Sequence, residues 1–234
     1  MAAAVLPDGL QPWFERHVLP GERPLVTLSY AQSLDGSLAA EPGRPLLLSS
    51  QETKALTHQV RAWHDAILVG IGTILADDPR LTVRRVSGPQ PQPIVVDTSL
   101  RTPPQAQLLS GPRPPWIAAS ESATPEAAAP LRAAGADILW VPRSQDGGLD
   151  LRVLLRMLRA RGVERLMVEG GARILTSFLR SGLADLLILT LAPRFVGGLP
   201  AVGDLHGRHP SLVDLQAARL GPDLVVWGDL EGAT

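Results

Sequence analysis

Hydrophobic positions along the 234-residue chain follow two alternating patterns. Short, continuous runs of Val, Ile and Leu predict strands at Leu25–Ala31, Ala66–Val69, Ile94–Val96, Trp116–Ala118, Ile138–Val141, Leu166–Val168, Leu186–Leu191 and Leu224–Trp227. Strands buried on both faces carry no polar side, the condition inside a mostly parallel sheet. Between them, helical periodicity predicts helices at Gln51–Trp63, Ile71–Ala76, Pro125–Ala134, Leu151–Arg161 and Ala172–Ser181. The clearest has Leu151, Leu154, Leu155 and Leu158 on one face and Arg152, Arg156 and Arg159 on a solvated one. Asp150 is its expected N-cap and Gly162 its stop.

Strand–helix alternation predicts an α/β fold with a mostly parallel central sheet and right-handed crossovers. The last two strands, near Leu212–Leu220 and Leu224–Leu230, are joined by the short Gly221-Pro222-Asp223 link, which predicts an antiparallel C-terminal pair. Ser87–Pro93 and Thr102–Pro115 read as loops within one domain spanning residues 25–234. Residues 1–24 read as an N-terminal arm, expected to be partly disordered or to pack across a neighbour.

Charge and composition narrow the chemistry. With 22 basic and 23 acidic side chains the net charge is −1, so no positive field favours general nucleic-acid binding. The absence of cysteine excludes disulfides, cysteine-based zinc sites and a cysteine nucleophile. No apolar run reaches the roughly 18 residues of a membrane span, and Pro7 and Pro12 interrupt a start that lacks a basic signal region. A cytoplasmic protein is expected. The single lysine, Lys54, lies in a polar helical stretch, an unpromising place for Schiff-base chemistry.

Three passages could carry a ligand. Val168-Glu169-Gly170-Gly171-Ala172-Arg173 runs from a buried strand through paired glycines into a helix. Its free N–H groups could receive a phosphate, although a tight turn with a solvent-facing acid fits the same pattern. Val69-Gly70-Ile71-Gly72-Thr73 is a second such passage, but Leu75 occupies the third glycine position of a dinucleotide fingerprint. In Ala76-Asp77-Asp78-Pro79, adjacent carboxylates could bind ribose hydroxyls or simply end a helix. His206 and His209 lack a third partner, so no metal site is expected, and no Gly-x-Ser-x-Gly elbow supports a serine hydrolase. Arg61 and Arg84 could recognise a substrate phosphate bidentately, although a plain surface arginine is the usual reading of each taken alone.

Taken together, Leu28-Ser29-Tyr30-Ala31-Gln32-Ser33-Leu34-Asp35-Gly36, Glu52-Thr53-Lys54, the stretch from His64 to Gly70, Gly72-Thr73, Leu75–Pro79, Leu81-Thr82-Val83-Arg84, Val168–Gly171, Leu191-Ala192-Pro193 and Gly197-Gly198 resemble the pyrimidine reductases of the riboflavin pathway. The resemblance spans Leu25 to Asp229. It implies a fold similar to dihydrofolate reductase, a homodimer, and NADPH as cofactor. Such enzymes reduce a phosphoribosylamino-pyrimidine to its ribitylamino 5′-phosphate, with hydride passing to sugar C1′ of the ring-opened Schiff base.

By motif, the resemblance implies cofactor contacts at Ala31, Thr73, Asp77 and Thr98 and along Gly170, Gly171, Ala172, Arg173, Ile174 and Leu175. Substrate contacts are implied at Arg61, Leu81, Arg84 and Glu169, with the two arginines on the 5′-phosphate. No general acid is assigned. The chain departs from many bacterial members at Ser29, where they carry lysine, and at Pro45 and Leu47, where they carry a substrate-contacting serine. Its wording is closer to the stand-alone fungal and archaeal type than to the deaminase fusion, whose zinc-binding Pro-Cys-x-x-Cys is absent. The deaminated and diamino substrates both remain open. So do a reductase of the same fold with another substrate and a non-catalytic nucleotide-binding protein.

Overall fold

The computed structural model describes residues 6–231 except Pro42 and Pro45. Its elements are α1 (Leu10–Glu15), β1 (Leu25–Ser33), β2 (Ser37–Ala39), α2 (Gln51–Ala62), β3 (Ala66–Gly70), α3 (Ile71–Asp77), β4 (Gln92–Val96), β5 (Trp116–Ser120), α4 (Pro125–Ala133), β6 (Asp137–Val141), α5 (Leu151–Ala160), β7 (Arg165–Val168), α6 (Ala172–Ser181), β8 (Leu186–Ala192), β9 (Leu199–Pro200), β10 (Ser211–Leu220) and β11 (Asp223–Glu231). A nine-stranded sheet runs in the order β10-β11-β8-β1-β7-β3-β4-β5-β6. The strands from β8 to β6 are mutually parallel, whereas β11 and β10 pair antiparallel at one end, as expected.

Side-chain alternation along the strands divides the core between the two faces of the sheet. Leu68, Leu166 and Val168 join α5 and α6 in one apolar cluster. The intervening residues point the other way. Ile67 and Val69 join Leu131 of α4 and Leu108, while Met167 joins α1 and α2. Helix α5 starts where its sequence predicts: Asp150 accepts hydrogen bonds from the N–H groups of Arg152 and Val153 at 2.9 and 3.1 Å. Gly162 follows its end with φ 84, a left-handed conformation that suits glycine.

The expected disposition of the N-terminal arm needs correction for its described part. Helix α1 neither protrudes nor waits for a neighbour: Leu10, Trp13 and Phe14 are buried against Leu56, Val60, Met167 and Trp227. Trp13 donates its indole N–H to Asp229 at 2.8 Å, and Phe14 stacks on Trp63 with ring centroids 5.2 Å apart. Six residues containing Pro12 are too few to display helical periodicity, so burial by distant partners, not local pattern, defines this element.

The sheet leaves a notch at the carboxyl ends of its strands. Leu28 of β1 pairs with Val168, the last residue of β7, but β1 continues to Ser33 against Ala192 of β8. On the other side β3 runs on to Gly70 against Val96 of β4. Strand β7 is therefore shorter than both neighbours, and Glu169 emerges between their overrunning ends. Open α/β sheets place ligands at this edge.

Candidate active site

Glu169 follows β7 directly and meets Arg61 from the last turn of α2. Nε of Arg61 donates to Oε1 at 2.6 Å, Nη2 to Oε2 at 2.7 Å, and Nη1 to the Thr82 carbonyl at 2.9 Å. The side chains are only 10% and 18% exposed. Burial opposes the charge on Arg61, but the adjacent carboxylate outweighs it and holds the guanidinium above its ordinary pKa. Both Glu169 oxygens accept hydrogen bonds, so this geometry makes the group an acceptor and a negative pole rather than a proton donor. It also differs from the solvent-facing acid that a tight turn alone would give.

Helix α2 positions the next segment as well. The N–H of Arg84 donates to Nδ1 of His58 at 3.2 Å. Burial, reinforced by Arg61, Arg84 and Arg85, pushes the His58 imidazole down to about 3, which keeps it neutral and able to accept that bond. The Arg84 guanidinium itself is held below its ordinary pKa, first by desolvation and then by Arg61, Arg85 and Arg80, with Glu169 opposing. Arg80 and Arg85 bond to Gln107 and Gln51. Among the described residues no carboxylate forms a salt bridge with Arg84. An arginine surrounded by like charges and lacking an acidic partner is suited to an anion.

A cavity of about 1310 Å³ opens beside the notch, between the ends of β3, β4 and β6 and the start of α6. Gly70, Gly72, Thr73, Thr98 and Gly171 line it. Gly171 caps α6 without a side-chain bond, and no acid occupies that helix's first turn. The helix start therefore presents its N–H groups and positive dipole end to the cavity. A Cβ on Gly170 would lie 2.0 Å from Cγ2 of Ile174, so the turn requires glycine there. Arg101, Arg143, Arg152, Arg173 and Arg180 line the same space against Asp146 and Asp150. Basic side chains, a bare helix start and this volume suit a phosphate-bearing dinucleotide.

The structure gathers some of the sequence-derived candidates and separates others. Thr73, Thr98, Gly171, Ala172, Arg173 and Ile174 line the cavity. Ala31, Asp77, Gly170 and Leu175 do not. Ala31 lies on the overrunning part of β1, and Asp77 ends α3 with its carboxyl pushed up by desolvation. Leu175 is fully buried in the core. Leu81 is also buried, at 2% exposure, in the apolar cluster with Ile67 and Val69, and its backbone is left-handed at φ 53. Arg61 directs its fork to Glu169 instead of presenting both arms to a substrate phosphate. Of the departures, Ser29 is buried, Leu47 is 71% exposed, and Pro45 lies outside the described residues.

Other cavity residues were not apparent from the sequence. Ser99 and Arg101 belong to a turn organised by Asp97, whose Oδ2 accepts from the Thr102 N–H and hydroxyl at 2.7 and 2.8 Å. Asp-Thr-Ser after a strand is a turn signal that could have identified it. Residues 143–150 line the far side, and only the fold brings them to α6. Among the described residues, no group of three His, Cys, Asp or Glu side chains could hold a metal, and no helix is long and apolar enough to cross a membrane.

Fold and site define an α/β protein with a ligand cavity at the carboxyl edge of a parallel sheet and a buried arginine–glutamate pair beside it. The chain belongs to the RibD C-terminal domain family, which matches residues 24–226. It is 40% identical over 220 residues to the 2,5-diamino-6-ribosylamino-4(3H)-pyrimidinone 5′-phosphate reductase of Methanothermobacter thermautotrophicus, covering 90% of this chain and 100% of that one. It is 36% identical to the riboflavin biosynthesis protein RibD of Aquifex aeolicus over 88% of this chain, but spans only 58% of that protein. Among solved structures, the Saccharomyces riboflavin biosynthesis reductase Rib7 superposes with a TM-score of 0.76 at 27% identity, covering 95% of this chain and 97% of that one.

Proposed function

We propose that this chain is an NADPH-dependent reductase acting on 2,5-diamino-6-ribosylamino-4(3H)-pyrimidinone 5′-phosphate, reducing sugar C1′ to give the ribitylamino product. The observation that carries this reading is the Arg61–Glu169 pair at the floor of the notch, with Arg84 close to both and in no salt bridge among the described residues, and a basic cavity alongside. Arg84 takes the 5′-phosphate through charge-assisted hydrogen bonds. Glu169, fixed by Arg61, places negative charge near C1′, where positive charge develops as the sugar opens to an imine. Because both its oxygens accept hydrogen bonds, it does not also serve as the acid.

NADPH supplies the hydride. Thr73, Thr98 and the start of α6 line the space that would receive it, with Ala31 and Asp77 on adjoining elements. Five arginines against two aspartates along that cavity favour the cofactor carrying the extra phosphate over NADH. The diamino substrate is favoured over its deaminated counterpart by the names of the relatives matched over nearly their whole length, the Methanothermobacter reductase and its counterpart in Debaryomyces hansenii, 38% identical over 94% of that chain. The homodimer rests on the family resemblance and is tested by sedimentation velocity; the cytoplasmic setting rests on the sequence, which carries no recognisable sorting signal.

NADPH oxidation, followed by absorbance with the diamino and deaminated ribosylamino phosphates offered separately, tests the proposal. Turnover of the diamino compound is expected. Turnover only of the deaminated compound would overturn the substrate assignment, and silence with both would overturn the reductase reading.

A further inference from the structure

One carboxylate ties together the loops that continue β1 and β8. Asp35 Oδ1 accepts from the Ser33 hydroxyl and from the Val196 N–H at 3.1 Å. Its Oδ2 accepts from the Gly197 N–H at 2.6 Å and the Ser37 hydroxyl at 3.1 Å. Ser37 in turn accepts the Gly198 N–H at 3.0 Å. Two backbone bonds flank the knot, from Leu34 N–H to the Arg194 carbonyl and from Ala201 N–H to the Gly36 carbonyl, both at 2.9 Å.

Apolar burial does little to hold this loop. Phe195 is 79% exposed and Leu34 53% exposed. A Cβ on Gly198 would lie 2.1 Å from the Ala39 carbonyl oxygen, so the two backbones meet directly. Polar ties therefore provide the main restraint. The Ser33 hydroxyl and Gly197 N–H, ahead of the other donors, hold the Asp35 carboxyl well below the usual carboxylate range, so it remains a full acceptor through neutral and mildly acidic pH.

The knot lies at the end of the β1 segment that overruns β7 and forms one wall of the notch. Leu199, next to the tied amides, lines the cavity. We infer that Asp35 is a positioning residue: by binding the loop after β8 to the turn after β1, it holds the wall against which substrate and nicotinamide are aligned. The inference rests on the reductase reading above. Proximity of the reacting atoms controls hydride transfer steeply, so a loosened wall lowers turnover more than it lowers NADPH binding, because the arginines of the cavity stand on other elements.

Asp35→Ala and Asp35→Asn test this inference by amide hydrogen exchange, NADPH titration and steady-state kinetics. In Asp35→Ala, exchange at residues 196–198 is expected to quicken by about tenfold or more and kcat to fall by about tenfold or more, while the NADPH Kd stays within about threefold. Asp35→Asn, with one carbonyl oxygen for four donors, is expected to fall between Asp35→Ala and wild type. Unchanged exchange would show that the carboxylate does not hold the loop. Fast exchange with unchanged kcat would reduce the knot to a structural tie, and either result overturns the inference. If Asp35→Ala fails to fold, Ser37→Ala removes only the Gly198 contact and one Asp35 donor; it should quicken exchange at residue 198 and lower kcat severalfold, and unchanged kcat overturns the inference. Loss of wild-type turnover, by contrast, overturns the reductase reading itself.

Discussion

Arg61 and Glu169, 108 positions apart in sequence, meet through two charge-assisted hydrogen bonds of 2.6 and 2.7 Å. The pair joins α2 to the end of β7 and fixes the direction of a carboxylate at the floor of the notch. Breaking one member of a buried pair leaves the other charge uncompensated, at a cost of about 3–5 kcal/mol when burial is complete and less at this partial exposure. Glu169→Gln is therefore expected to lower stability measurably and kcat by about a hundredfold, since one electrostatic contact to the reacting centre is worth roughly that. Chemical denaturation and NADPH-coupled turnover check both. A kcat within threefold of wild type would remove Glu169 from the reaction.

Arg84 is held in place through its backbone by His58, while its guanidinium forms no salt bridge among the described residues. Arg84→Ala should raise the substrate KM by about 10–100-fold, the equivalent of about 1.5–3 kcal/mol for a charge-assisted contact, with little loss of stability. The dephosphorylated substrate should be indifferent to the change. An unaltered KM for the phosphorylated form would contradict the assignment.

Two buried imidazoles set an acid limit on the fold. His64, enclosed between Thr27 and the Val60 carbonyl, is pushed down to about 4 chiefly by burial, and His58 to about 3, from an ordinary value of 6.5. Because both are depressed in the folded state, the unfolded chain binds more protons below about pH 6.5. Their stabilisation is complete above that value and is lost as pH falls towards about 4 for His64 and about 3 for His58, on the order of 3 kcal/mol for His64. Urea midpoints at pH 7.5 and about 4.5 should show this fall, and His64→Gln should flatten it. A pH-independent difference between wild type and His64→Gln would contradict the assignment.

The first helix belongs to the core. Trp13→Ala removes a side chain that is 2% exposed and bonded to Asp229, and should destabilise the fold by about 3–5 kcal/mol. An unchanged urea midpoint would return the segment to the status of a loose arm.

Much of this fold could be read in the sequence because local signals agree with global position. Leu166–Val168 is continuously apolar since β7 is covered on both faces, and Asp150 and Gly162 bracket α5 with the capping chemistry a helix needs. Helix α1 and the β2–β9 pair were not legible: the first depends on distant burial by Met167 and Trp227, the second on backbone pairing of short segments with little apolar signal. At the site, the glycine passages after β3 and β7 could be read as ligand turns because glycine there has a local cause. The partnership of Arg61 could not, since residue type announces a bidentate fork but not which carboxylate fills it. The Asp35 knot has the same limitation: Leu34-Asp35-Gly36 marks a turn, while its partners at Val196 and Gly197 come from the other end of the chain.

The most direct test of hydride delivery to the sugar is isotopic. The chain is incubated with NADPH deuterated at the transferring position of the nicotinamide and with the diamino ribosylamino phosphate, and the product is examined by mass spectrometry and NMR. The expected product is heavier by about one mass unit, with deuterium on sugar C1′, because one hydride equivalent is transferred by the cofactor. A reduced product without deuterium, or label on the pyrimidine ring, would contradict reduction at C1′.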